Sequence, residues 1–78
     1  MFELKLSFGT TRTTVTADVH DTIAKALRDN EVSTQGALIF LNGTPVAYED
    51  LDQTFDSFGV RMGESAMLSV TVKASSAR

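Results

Sequence analysis

Three groups of residues in this chain are of types that could do chemistry. His20 is the single histidine among 78 residues. A histidine general base needs a nucleophile within hydrogen-bond reach and a third group to orient it. No cysteine is present, so cysteine nucleophiles, thiolate metal sites and disulfides are excluded. His20 falls where a strand gives way to a helix, and there it reads as a solvated or capping side chain. The densest acidic group is Glu49, Asp50, Asp52 and Asp56. A calcium loop requires carboxylates at D-x-[DN]-x-[DN]-G spacing with a distal glutamate, and that spacing is absent. These carboxylates read as loop and cap residues that would favour a basic partner. The five glycines, Gly9, Gly36, Gly43, Gly59 and Gly63, are dispersed. None builds a phosphate-cradling G-x-x-x-x-G-K or G-x-G-x-x-G loop, so they are turn glycines. The expectation is no enzyme, no cofactor and no metal.

Bulk composition is that of a single small globular domain. Apolar residues make up 42% and charged residues 22%, a globular balance. A chain of this length forms one domain that buries roughly 60% of its unfolded surface, so its core is thin. No apolar run approaches the roughly 20 residues of a membrane-crossing helix, and no basic-then-hydrophobic leader opens the chain. A cytoplasmic location without membrane contact is expected. The net charge is −3 and the seven Lys plus Arg are scattered. Nucleic-acid binding draws on clustered positive charge, so nucleic acid is not an expected partner.

The elements follow from periodicity. Phe2, Leu4, Leu6 and Phe8 alternate with Glu3, Lys5 and Ser7 in a half-buried strand over 1–8. After a Gly9-Thr10 turn a second strand runs from Arg12 to Val19. Thr13, Val15, Ala17 and Val19 share one of its faces, with Arg12, Thr14, Thr16 and Asp18 on the other. The period then shifts to helical over 21–30, with Ile23, Ala26 and Leu27 on one stripe and Asp21 or Thr22 as N-cap. Ala37–Leu41 is a short apolar strand ending at Asn42-Gly43, a pair that tolerates the positive φ of a tight hairpin turn. Thr44-Pro45-Val46 is a brief edge strand, since proline cannot donate to a ladder. A helical turn is expected near 52–58. A final strand from Met67 to Lys73 puts Leu68, Val70 and Val72 on one face and Met67, Ser69 and Thr71 on the other. In a five-stranded solution it lies centrally, parallel to the first. Residues 74–78 read as a fraying tail after a domain spanning 1–73.

Three segments resemble the ubiquitin-like β-grasp superfamily. Val19-His20-Asp21-Thr22-Ile23 is similar to the entry of the ubiquitin helix. Leu38-Ile39-Phe40 with Asn42-Gly43 is similar to the "LIF-x-G" hairpin. Thr54 to Val60 followed by Gly63-Glu64-Ser65 is similar to the "TLSDYNI…KES" stretch. Leu41-Asn42-Gly43-Thr44-Pro45-Val46 also resembles the "VNG-x-x-V" of bacterial sulfur carriers. Asp21 to Arg28 resembles the first helix of plant-type ferredoxins, whose cluster this cysteine-free chain could not hold. The resemblance implies an α+β fold, a mixed four- to five-stranded sheet wrapped on one helix in the order β-β-α-β-β-β. It departs from the pattern at the end of the sequence. Lys73-Ala74-Ser75-Ser76-Ala77-Arg78 stands where ubiquitin and the sulfur carriers have Gly-Gly, and no Gly-Gly dipeptide occurs in the chain. A terminal carboxylate that is adenylated in a narrow channel needs residues without side chains beside it. Conjugation and thiocarboxylate chemistry are therefore not expected.

The outer face of the sheet is the remaining candidate. With Leu38 and Phe40 toward the helix, Ala37, Ile39 and Leu41 point away. Met67 and Ser69 join them from the last strand, among the polar Glu3, Lys5, Ser7, Thr14 and Thr16. By resemblance Ile39 matches the central isoleucine of ubiquitin's recognition patch. Ile39, Leu41, Met67 and Ser69 are thus the expected partner-binding residues, for a protein partner or a second copy. The opposite register, which buries Ile39 and Leu41 and exposes Phe40, is one residue away. A non-catalytic interaction module is the leading expectation. A divergent sulfur carrier or modifier with a degenerate tail, and a structural subunit of a small self-assembling complex, are the alternatives.

Overall fold

The computed structural model describes residues 1–72; the expected tail 74–78, and the argument built on it, lie outside the described residues. The elements are β1 (Phe2–Phe8), β2 (Thr11–Ala17), α1 (Ile23–Asp29), β3 (Ala37–Leu41), β4 (Thr44–Val46) and β5 (Ser65–Val72). They form one five-stranded sheet in the order β2-β1-β5-β3-β4. β5 runs parallel to β1 and antiparallel to β3, in the central place expected for it. The acidic stretch differs from expectation. Two short 3-10 turns, Tyr48–Asp50 and Asp56–Phe58, replace the single turn near 52–58. Each closes on itself with i→i+3 bonds, the geometry that suits short connectors.

One face of the sheet is packed against α1 and the segment that follows β4. Phe2, Leu4 and Leu6 of β1, Ala66, Leu68 and Val70 of β5, and Ile23, Ala26 and Leu27 of α1 are buried together. Phe55 is fully buried from the second 3-10 turn, and its ring meets Phe2 edge-on at 4.9 Å between centroids. Such an aromatic pair adds about 0.5–1.5 kcal/mol to the burial of the two rings.

Both ends of α1 are closed. The Thr22 side chain accepts the Lys25 N–H at 3.0 Å and so serves as the N-cap. The N–H groups of Ile23 and Ala24 donate to Gln53 O and Leu51 O, so two more unpaired helix donors are satisfied by the loop. Phe55 and Asp56 donate back to Asp21 O and Val19 O, lacing 51–56 to the helix entry. At the other end Glu31 N–H bonds Arg28 O and Val32 N–H bonds Leu27 O, with Val32 buried. This is a Schellman closure, and Glu31 occupies its left-handed position at φ 59. Glycine is the usual residue there, because a Cβ opposes that conformation. No helix among the described residues is long and apolar enough to cross a membrane.

Candidate functional site

β3 decides where the candidate surface lies. Asn42 and Gly43 adopt φ 52 and φ 84, the positive pair of a two-residue hairpin turn. That turn sets Leu41 opposite Thr44, Phe40 opposite Pro45 and Ile39 opposite Val46. On the other side Ile39 faces Val70 and Leu41 faces Leu68. Residues paired directly across strands share a face. Because Leu68, Val70 and Val46 point inward, Ile39 and Leu41 do as well. They are 3% and 4% exposed. The expected orientation of β3 is therefore reversed, and neither Ile39 nor Leu41 is available on the outer face. Leu38 takes their place at 51% exposure, with Phe40 half-buried beside it.

Met67 and Ser69 stand where expected, on the outer face, with Met67 51% exposed and Ser69 half-buried. The strand registers arrange this face in rows across the sheet. One row runs Arg12, Ser7, Ser69, Phe40, Pro45. The next runs Thr14, Lys5, Met67. Asn42 extends that second row, since its N–H donates to Met67 O at 2.8 Å and its side-chain oxygen accepts the Met67 N–H at 2.9 Å. Thr16, Glu3 and Ser65 form a third, in which the Ser65 hydroxyl donates to the Glu3 carboxylate at 3.0 Å. Apolar side chains thus gather on the β3–β4 side, while hydroxyls and cations gather on the β1–β2 side. A shallow depression lies between them, lined by Lys5, Ser7, Arg12, Thr14, Met67 and Ser69. No described element covers this face.

At the margin of the apolar half sits Tyr48, on the first 3-10 turn. Its hydroxyl accepts the Ala37 N–H at 3.1 Å and lies 2.8 Å and 2.9 Å from Thr34 O and Ala37 O. With one proton it donates to one of those carbonyls at a time. Its ring stays exposed beside Leu38, Phe40 and Pro45 along the β3–β4 edge.

The groups with catalytic potential assemble no such surface. His20 has Asp18 at 3.4 Å and Asp56 at 3.6 Å, and all three side chains are solvated. The backbone N–H of His20 donates to Asp18 and is the main reason that carboxyl lies below its ordinary value. Thr54 donates its hydroxyl to Asp56. The Thr54–Asp56 and His20–Asp18 bonds each span two residues and close local turns on the surface. Among the described residues no three His, Asp or Glu side chains are placed to hold a metal ion.

Several solved structures share this architecture. A ubiquitin-like domain of an Arabidopsis thaliana protein superposes with a TM-score of 0.70 at 16% identity, covering 99% of this chain and 83% of the other. The fold is the ubiquitin-like β-grasp. A Caldiarchaeum subterraneum ubiquitin follows at TM-score 0.65 and 12% identity, over 97% of this chain and 98% of its own. A ubiquitin-like protein from the same archaeon gives 0.56 and 10%, over 95% and 99%. No protein-family model matches the chain, and no curated protein does. At such identities the β-grasp likeness is one of fold, and the sheet face must be read from its own residues.

Leu38 and Phe40 are the surface residues that the periodicity of β3 concealed. The missed signal was in β4. Val46 is its single aliphatic residue, and a two-residue Asn42-Gly43 turn pairs it with Ile39.

Proposed function

We propose that the chain is a non-catalytic protein-interaction module that binds through the open face of its sheet. The observation that carries this reading is the contrast between the two faces. α1 covers one, while no described element covers the other, which presents Leu38, Met67 and Phe40 within a polar surround. A clustered apolar group rimmed by polar side chains is the usual appearance of a binding surface. The half-buried Phe40, packed beside Pro45, supplies a rigid aromatic contact of the kind that dominates binding energy.

The test is affinity capture from cells of the source organism, with wild-type chain and a Leu38→Asp/Met67→Asp variant as baits. Proteins held by the wild type and lost from the variant are expected. Retention of the same set by a folded variant, or no protein captured by either bait, would contradict the reading.

The likeness to an archaeal ubiquitin favours a second reading, a modifier or carrier. The 78 residues contain no Gly-Gly dipeptide. Mass spectrometry of the chain after incubation with a ubiquitin-type or sulfur-carrier-type activating enzyme and ATP separates the two. An adenylate, thiocarboxylate or conjugate would establish the modifier reading.

A further inference from the structure

The open face is not electrically like the rest of the molecule. The chain carries a net charge of −3. Its acidic side chains fall largely in the 18–21 loop, at the end of α1 and along 49–56. The outer sheet face reverses this balance. Its charged side chains are Lys5, Arg12 and Glu3, and Glu3 is engaged by the Ser65 hydroxyl. Among the described residues the ion pairs involve only His20 and Lys25 as cations. Among the described residues, then, Lys5 and Arg12 have no carboxylate within 4.0 Å, although they stand on one side of the same depression.

The depression has a floor suited to an anion. Ser7, Thr14 and Ser69 line it with hydroxyls, alongside the two cations and Met67. Immediately beyond Ser69 in the same row is Phe40. Strands lie about 4.8 Å apart, so Arg12 and Phe40 are roughly 14 Å apart across three strand spacings. An extended segment advances about 3.3 Å per residue and covers that distance in about four residues.

From this charge complementarity we infer that the partner of the open face is a protein segment bearing an Asp or Glu about four residues from a large apolar side chain. Its carboxylate sits between Lys5 and Arg12, and its apolar side chain rests on Phe40, Leu38 and Met67. A guanidinium offers a bidentate fork to a carboxylate, and Lys5 adds a second charge that is more strongly hydrated. The cations steer and orient the partner, while the apolar half holds it. This inference rests on the sheet face being the binding surface and adds the chemistry of what binds.

Selection of a random dodecapeptide library on the immobilised full chain tests it. Two variants are compared with wild type, Lys5→Glu/Arg12→Glu and Leu38→Asp/Met67→Asp, each checked for native circular dichroism. The substituted positions are solvent-facing, so both variants retain the fold. Enriched peptides are expected to carry an acidic residue three to five positions from Leu, Ile, Phe or Trp. Their affinity should fall at least tenfold on the charge-reversed variant, and also on raising NaCl from 0.05 to 0.5 M. Enriched peptides that are apolar without acidic excess, lost on Leu38→Asp/Met67→Asp but kept on Lys5→Glu/Arg12→Glu, overturn the acidic assignment and leave the sheet-face reading standing. Peptides that bind both variants as well as wild type, or no enrichment at all, overturn both. If the chain alone self-associates in sedimentation and Lys5→Glu/Arg12→Glu abolishes it, the occupant is a second copy of the chain. The separate partner is then wrong.

Discussion

The two faces of this sheet are built from neighbouring residues of the same strands, yet they obey different rules. On the covered face, Leu4, Leu6, Ile39, Leu41, Leu68 and Val70 are fixed by contact with one another and with α1. On the open face, Leu38 and Met67 each leave half their surface in water. The contrast is sharpest within β3, where five consecutive apolar residues, Ala37 to Leu41, are divided between core and solvent. Hydrophobicity alone therefore does not locate a core. The neighbouring strands do, because a residue must share the face of the side chains it is paired with.

Substitutions on the covered face should be felt as stability, and those on the open face should not. The largest effect is expected from Leu41→Ala, which leaves a cavity opposite Leu68. It should cost about 2–5 kcal/mol in urea unfolding. Met67→Ala, one position away on β5 but on the open face, should change stability by less than about 0.5 kcal/mol. Equal losses for the two would erase the contrast.

The lid on the covered face offers smaller tests. Thr22→Ala removes the side-chain acceptor of the Lys25 N–H and should cost about 1 kcal/mol by thermal or urea unfolding. Glu31→Gly should act in the opposite sense. It relieves a non-glycine residue held at φ 59 and should raise stability by about 0.5–1 kcal/mol. A loss on Glu31→Gly would mean that the extra conformational freedom glycine gives the unfolded chain outweighs the relief at φ 59.

The smallest effect concerns acid. Asp18 is held below its ordinary value of 3.8 chiefly by the His20 N–H, and Asp29 chiefly by the Lys25 ammonium at 2.8 Å. A carboxyl whose folded pKa is lowered binds protons more readily when unfolded. Its stabilisation is thus complete above its unfolded value and is lost as pH falls through the folded one. Unfolding followed from pH 7 downward should show no contribution from these groups until about pH 4, then a decline. Asp18→Asn should make that decline shallower, and an unchanged slope would show that the His20 N–H contact does not act through the charge. Both contacts are solvent-exposed, so the effect is minor.

Much of this organisation was legible in the residues. β1 and β5 alternate apolar with polar side chains, and that alternation showed their faces; the central place of β5 followed from a five-stranded arrangement and not from periodicity. Thr22 as cap and Asn42-Gly43 as turn were readable from local chemistry, and so was Thr44 to Val46 as an edge strand. β3 was not, because both of its faces are apolar and alternation has nothing to report. The resemblance of Leu38-Ile39-Phe40 to ubiquitin's hairpin then pointed to the wrong side. This chain has one more residue, Leu41, before its turn pair than that motif allows. The cationic half of the open face was concealed for another reason. Lys5 and Arg12 are seven residues apart in the chain, and only the pairing of β1 with β2 and β5 brings them to a common depression.

Which side of β3 faces the core decides which residues the open face presents. Urea unfolding of Ile39→Asp and Leu38→Asp, measured side by side, addresses that point. Burying a carboxylate at Ile39 should leave the chain unfolded without denaturant, because isolated buried charge costs more than a thin core supplies. Leu38→Asp should unfold with the wild-type slope and a stability within about 0.5 kcal/mol of it. A folded Ile39→Asp beside an unfolded Leu38→Asp would reverse the two faces and with them the proposed surface.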